Sequence, residues 1–246
     1  MRQWRIANGQ AEPVALRSAM IQTFIDALLT GQPVPFRADG AMSTIGTRQP
    51  VQDKLRLTLR GFEGDRVGDP SVHGDADKAV HIYPAEHYPA WRDDFAQQGS
   101  EPHPLLDRLG GFGENISARG MTEERVAIGD RFQIGEALVE ISQGRQPCWK
   151  IDHLFGVKDM TASVIRTGRS GYYFRVIEEG NVGPDDQIIQ THGATHGWTV
   201  KRAFQLLIGG GHKMARARDA LRELSDLESL AANWRRRARQ LLDGMA

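Results

Sequence analysis

Apolar and polar positions alternate with period two, or cluster in short runs, as far as Thr191. Ile25-Asp-Ala-Leu-Leu-Thr, Leu55-Arg-Leu-Thr-Leu, Ala79-Val-His-Ile-Tyr and Ala137-Leu-Val-Glu-Ile-Ser are such segments, and they predict strands. Gly61, Gly64, Gly68, Gly74, Gly110, Gly111, Gly113, Gly120, Gly129 and Gly135 punctuate this part of the chain and mark turns. Two segments read as helix. Residues 84–95 open with Pro84 at a plausible first-turn position, although Pro89 limits their regularity. Residues 159–167 place Met160, Val164 and Ile165 on one face behind Asp159 as an N-cap candidate. Many short strands with scattered helices predict a mainly β fold, an irregular β-barrel rather than a doubly wound sheet.

The texture changes near Gly193. Three helices are predicted beyond it, over 198–208, 213–224 and 227–242, with Val200, Ala203, Phe204 and Leu207 at helical spacing in the first. They read as a small three-helix domain. Charge changes at the same place: residues 193–246 hold ten Lys/Arg against five Asp/Glu, and residues 1–192 hold 21 against 26. The organisation expected is an N-terminal extension over 1–27, a barrel over 28–192 and a three-helix domain over 193–246. The basic tail, with Trp234-Arg-Arg-Arg-Ala-Arg, is expected to dock an acidic protein partner. The competing reading is that its helices cover apolar barrel surface.

Composition narrows the function classes. The chain has 246 residues, 40% hydrophobic and 25% charged, and zero net charge, which fits a globular protein and disfavours a globally basic nucleic-acid binder. One cysteine, Cys148, excludes an intramolecular disulfide and a zinc site of several thiolates. Residues 1–10 lack a signal-like apolar run, and 19–29 are too short and too polar to span a bilayer. A soluble cytoplasmic protein without membrane or nucleic-acid partners is expected. Gly111-Phe-Gly-Glu-Asn-Ile116 lacks the third glycine of a dinucleotide fingerprint, and neither a P-loop, a nucleophile elbow nor a zincin motif occurs.

Four segments carry candidate chemistry. In Ser142-Gln-Gly-Arg-Gln-Pro-Cys-Trp-Lys150 the thiol follows a predicted strand, with Arg145 and Lys150 close in sequence. Positive charge favours the thiolate, the form that ligates metals or attacks electrophiles. The alternative is an inert buried cysteine. In Val72-His-Gly-Asp-Ala-Asp-Lys-Ala-Val80 the backbone amides and Lys78 can hold an anion, or the acids simply cap a turn. Gly110-Gly-Phe-Gly-Glu-Asn-Ile116 presents Glu114 and Asn115 from a glycine-rich turn, or is only a tight connection. Gly168-Arg-Ser-Gly171 is either a phosphate nest or a helix C-cap leading into a strand.

Taken in order, these residues resemble a known family. His73-Gly-x-x-x-Lys78-Ala, Tyr83-Pro-x-Glu-His-Tyr-x-x-Trp91, Gly113-Glu-Asn-Ile, Ile128-Gly-Asp-x-Phe and Ser142-Gln-x-Arg-x-Pro-Cys148 are similar to the MOSC domain, in its YiiM-like branch. The resemblance runs from Leu28 to Ile189, and the tail resembles that branch's three-helix domain through Trp198-Thr-Val and Trp234. Two departures are Asp75, where a second glycine is usual, and Gly144, where a proline is common. The resemblance implies a barrel that binds molybdenum cofactor (Mo-molybdopterin) and reduces N-hydroxylated substrates, hydroxylaminopurines and amidoximes, to amines. Its electrons would come from a flavoprotein reductase. It implies Cys148 as ligand to molybdenum, Lys78, Arg145, Arg169 and Ser170 as holders of the cofactor, and His73, Glu114 and Asn115 as catalytic residues. A non-enzymatic carrier of the cofactor or its sulfur is the alternative.

Overall fold

The computed structural model describes residues 20–37, 40–68 and 74–245. Thirteen strands run through these residues: β1 (Gln22–Thr30), β2 (Val34–Pro35), β3 (Met42–Ser43), β4 (Gln49–Pro50), β5 (Leu55–Thr58), β6 (Gly61–Phe62), β7 (Val80–Pro84), β8 (Ile116–Ala118), β9 (Arg131–Ile134), β10 (Ala137–Gly144), β11 (Tyr172–Glu178), β12 (Gly180–Val182) and β13 (Gln187–His192). Seven of them close a barrel in the order β13-β9-β10-β11-β7-β8-β1, with β1 returning to β13. The β7–β8 pair is parallel and the other pairs are antiparallel, so the sheet is mixed. Closure removes the exposed edges that an open sheet would leave. The apolar positions expected from the alternation, Ile25, Ile82, Val139 and Ile141 among them, fill the interior. Among the described residues no helix is long and apolar enough to cross a membrane.

Among the described residues six α-helices decorate this barrel, over His87–Gln97, Lys150–Leu154, Met160–Thr167, Val200–Leu207, Ala217–Asp226 and Ala232–Asp243. The first starts three residues later than the pattern suggested, because Pro84 still belongs to β7. Pro89 sits inside its first turn, where an amide has no helical partner to lose. Met160–Thr167 forms as expected, but the Asp159 side chain makes no capping bond. Strand β1 runs across the division expected between residues 27 and 28, so the barrel begins upstream of Leu28.

The last three helices pack on the barrel rather than only on one another. Trp198, Val200, Phe204, Leu207, Leu221 and Trp234 share one core with Val126, Ile128 and Ile141. Backbone bonds reinforce the contact: Ile128 N–H donates to the Trp198 carbonyl at 3.0 Å, and Val200 N–H to the Val126 carbonyl at 3.0 Å. Gly144 explains itself here. A Cβ at that position would lie 3.0 Å from Trp234 Cη2 and 3.4 Å from a Phe204 ring carbon, so residue 144 is small because the tail lies against it. The tail's arginines are also partly engaged: Arg237 donates to the Leu207 carbonyl and Arg239 to the Ser225 carbonyl. The helices thus cover apolar barrel surface, the second of the two readings of the tail. Truncation after Thr191 should give aggregation rather than a soluble barrel, checked by size-exclusion chromatography. Trp234→Ala should lower stability by about 3–5 kcal/mol in denaturant unfolding.

Candidate active site

One end of the barrel gathers the chain's candidate chemistry. Strands β10, β11 and β7 present Gln143, Tyr173 and His81 in a single cross-strand row. Beyond Gly144, β10 runs into Arg145, Pro147 and Cys148. Before Val80, a turn of 3-10 helix, Ala76–Lys78, delivers Lys78. Asp75 caps that turn, its carboxylate accepting the Asp77 N–H at 2.9 Å, so the residue that departs from glycine has a local use. Gly61 lets the β5–β6 hairpin approach closely: its φ is +113°, and a Cβ there would lie 2.6 Å from the Ala79 carbonyl oxygen.

These elements surround a cavity of about 400 Å³. Arg48, Arg60, Arg66, Lys78, Arg145 and Lys150 line it, and Asp65 is the one acid among its described lining residues. Asp65 is already committed. It pairs with Arg48 at 2.6 and 3.1 Å and accepts the Gly31 N–H at 2.8 Å and the Asn115 Nδ2 at 2.9 Å. The cavity therefore carries a large positive excess, which suits an anionic ligand. Arg145 is 5% exposed, and its Nη1 has no hydrogen-bond partner among the described residues. A buried guanidinium with an open donor is costly until an acceptor reaches it.

Cys148 is half-buried on the same lining. Tyr173 lies beside it at the cavity floor, its ring centroid 5.2 Å from that of His81. Burial raises the Tyr173 hydroxyl above its ordinary range, against the opposing pull of Arg145 and Arg48. It therefore stays a neutral donor at physiological pH. Exposed Trp149 and half-buried Phe36 stand next in line, their centroids 5.8 Å apart.

The structure brings together Lys78, Arg145, Cys148 and Asn115 of the expected site residues. Asn115 lines the cavity, but its amide also ties strands together: Oδ1 accepts the His81 N–H at 3.1 Å, and Nδ2 donates to Asp65 and to the Leu29 carbonyl. Glu114 does not reach the cavity. It is fully buried and accepts from the Tyr88 hydroxyl at 2.5 Å, Gly110 N–H at 2.7 Å and Phe112 N–H at 3.2 Å. Burial raises its carboxyl, while these bonds oppose the rise. Its work is to fold the glycine-rich turn. Arg169 and Ser170 are likewise elsewhere. Gly168 is a left-handed helix C-cap with φ 74°, Arg169 pairs with Asp94 at 2.7 Å over the Trp91 ring, and Ser170 is buried and donates to the Gly171 carbonyl. That segment is a helix end leading into β11. His73 lies outside the described residues. Sequence reasoning missed Arg48, Arg60, Arg66, His81 and Tyr173. The last two stand on segments legible as strands, on the face opposite Ile82 and Phe174; the arginines come from loops with no distinguishing pattern.

Fold and site define a class: a closed mixed barrel with a cavity rich in Lys and Arg side chains and one thiol on its lining. The match of family models is specific. The MOSC domain model matches residues 69–189, and the YiiM-like, 3-alpha helix domain model matches residues 198–244. Uncharacterized protein YflK of Bacillus subtilis (strain 168) is 37% identical over 217 residues, covering 88% of this chain and 95% of that protein. Protein YiiM of Escherichia coli (strain K12) is 40% identical over 147 residues, 60% of this chain and 63% of that protein. Its crystal structure superposes with a TM-score of 0.71 at 28% identity, covering 91% of this chain and 94% of that one. A protein named reductase from Gibberella moniliformis is 37% identical over 162 residues, 65% of this chain and 28% of that protein. The chain belongs to the MOSC domain family and carries the YiiM-like three-helix domain.

The two arginines of the motif segments should separate in an anion-binding assay. Arg145→Ala should weaken binding of inorganic pyrophosphate by about tenfold or more, the size of a lost charge-assisted hydrogen bond. Arg169→Ala, turned away from the cavity, should leave it within about twofold. Titration calorimetry on both variants checks this.

Proposed function

We propose that the protein is a molybdenum-cofactor-dependent oxidoreductase that reduces N-hydroxylated substrates, hydroxylaminopurines and amidoximes, to amines and amidines. The observation that carries this reading is the placement of Cys148 on the lining of a cavity whose described residues include six Lys and Arg side chains and one acid. The residues fit such a cofactor in three respects. A cavity of about 400 Å³ lies in the range of small-ligand sites. The open Nη1 of buried Arg145 calls for an acceptor such as a phosphate or pterin oxygen. Among the described residues no group of three His, Cys, Asp or Glu side chains is placed to hold a metal, so a metal here would bring further ligands of its own, as a pterin dithiolene does.

In this reading Cys148 supplies a soft thiolate to molybdenum. Lys78, Arg145 and Lys150 hold the anionic parts of the cofactor. The bound cofactor supplies the two-electron chemistry that cleaves the substrate's N–O bond, with electrons from a flavoprotein reductase. The chain's own part is to bind, orient and protonate. The Tyr173 hydroxyl, kept neutral by burial, donates a hydrogen bond beside Cys148. The His81 ring against it fixes its direction. These two take the substrate-facing role that Glu114, folded away in its turn, leaves open.

Protein purified from a host that makes the cofactor should contain molybdenum and pterin, and should reduce an amidoxime with a chemical reductant. Cys148→Ser should keep its unfolding midpoint and lose turnover by about a hundredfold or more, since a hydroxyl is a far poorer ligand to a soft metal. Retention of most turnover would remove Cys148 from the reaction. Bound molybdenum without turnover of any N-hydroxylated substrate would favour a carrier.

A further inference from the structure

Lys78 owes its place in the cavity to a 3-10 turn of three residues, an element with little stability of its own. Something outside the turn must hold it. Asp77, the residue before Lys78, faces the C-terminal helices. Its Oδ1 lies 2.9 Å from Arg175 Nε, an ion contact too bent to count as a hydrogen bond. Its Oδ2 accepts the backbone N–H of Ala232 at 3.3 Å, and its carbonyl accepts the Ser142 hydroxyl at 2.5 Å. Arg175 extends the link. It pairs with Glu140 at 3.2 Å and donates from Nη2 to the Ser229 carbonyl at 3.0 Å.

The same stretch of tail also grips β10. Ala231 N–H donates to the Ser142 carbonyl at 2.9 Å, and Trp234 packs on Gly144, one residue before Arg145. Residues 229–234 thus touch both arms that carry cations to the cavity. One arm ends in Lys78 and the other in Arg145 and Cys148. A lysine ammonium sits on a flexible four-carbon stem, so its position depends on how firmly its backbone is held.

We infer that Asp77 is a positioning residue through which the C-terminal helices hold Lys78 against the anion in the cavity. This gives the three-helix domain a part in ligand binding besides covering the barrel. It rests on the anion-binding reading of the cavity proposed above, though not on any redox activity.

A double-mutant cycle on the full chain tests it, with inorganic pyrophosphate as probe and titration calorimetry as readout. Lys78→Ala should weaken binding about tenfold, and Asp77→Ala about fivefold, with Lys78 still present. In the Lys78→Ala background, Asp77→Ala should change binding by less than about twofold, because the group it acts through is gone. A second variant avoids disturbing the turn itself. Ala232 is the first residue of its helix, where proline is tolerated, and Ala231 has φ −52° and ψ 141°, which suits the residue before proline. Ala232→Pro removes the N–H that Asp77 accepts and puts the ring Cδ in its place, so the carboxylate must swing away from the helix. It should weaken pyrophosphate binding about two- to threefold, with an unchanged unfolding midpoint, and have no effect when Lys78 is absent.

Equal losses from Asp77→Ala with and without Lys78 would overturn the positioning role, as would unchanged binding in both Asp77→Ala and Ala232→Pro. If Lys78→Ala binds pyrophosphate like the parent while Arg145→Ala does not, the positioning role fails and the anion-binding reading stands; if neither variant changes binding, the anion-binding reading fails as well.

Discussion

The ion pair of Arg48 with Asp65 is the joint on which the site end of the barrel depends. Arg48 is buried and Asp65 half-buried, with side-chain exposures of 4% and 10%. Asp65 gathers the end of β1 through Gly31 and the start of β8 through Asn115. Arg48 reaches across to the Gly113 carbonyl of the glycine-rich turn. Asn115 then passes the connection to the backbone of His81 on β7. Four chain segments distant in sequence meet at one pair of opposite charges. Removing one partner of such a pair typically costs about 3–5 kcal/mol, because the other charge is left buried and alone. Here it would also release the turn and the strand that floor the cavity.

The same pair sets the electrostatics of the site. The cavity's described lining holds one acid, and Arg48 neutralises it. Arg60, Arg66, Lys78, Arg145 and Lys150 line the same cavity. Like charges gathered on one lining favour an anionic ligand. Function in such a site is linked to stability: whatever anion binds should also stabilise the fold.

Selected motifs divide into those that touch the ligand and those that shape the loop beside it. The resemblance implies Glu114 and Asn115 as catalytic residues, and the glycine-rich turn before them offers to present them at a loop end. In the fold, Glu114 receives three hydrogen bonds from its own turn and Tyr88, and Asn115 braces β8 against β7. Gly168-Arg-Ser-Gly looks like a phosphate nest, yet its left-handed glycine ends a helix and its arginine turns to Asp94. In both cases the residue type was suitable for chemistry, and only the direction of the side chain decided against it.

The sequence by itself determined the barrel and the three following helices, and it singled out Cys148, Lys78 and Arg145, which share one cavity lining. Hydrophobic periodicity reports which face of an element is buried, and charge beside a lone thiol reports its chemical context, and both are local properties. It did not determine the extent of the barrel: β1 starts at Gln22, since pairing with β13, far along the chain, extends the strand beyond its apolar run. Nor did it settle the fate of the basic tail, because a helix's apolar stripe does not say what covers it. Tertiary structure decided that β10 covers it, and left Gly144 as the mark of that contact. It also decided which cations share the cavity. Arg48, Arg60 and Arg66 stand in loops without periodicity, and only closure of the barrel brings them to Cys148.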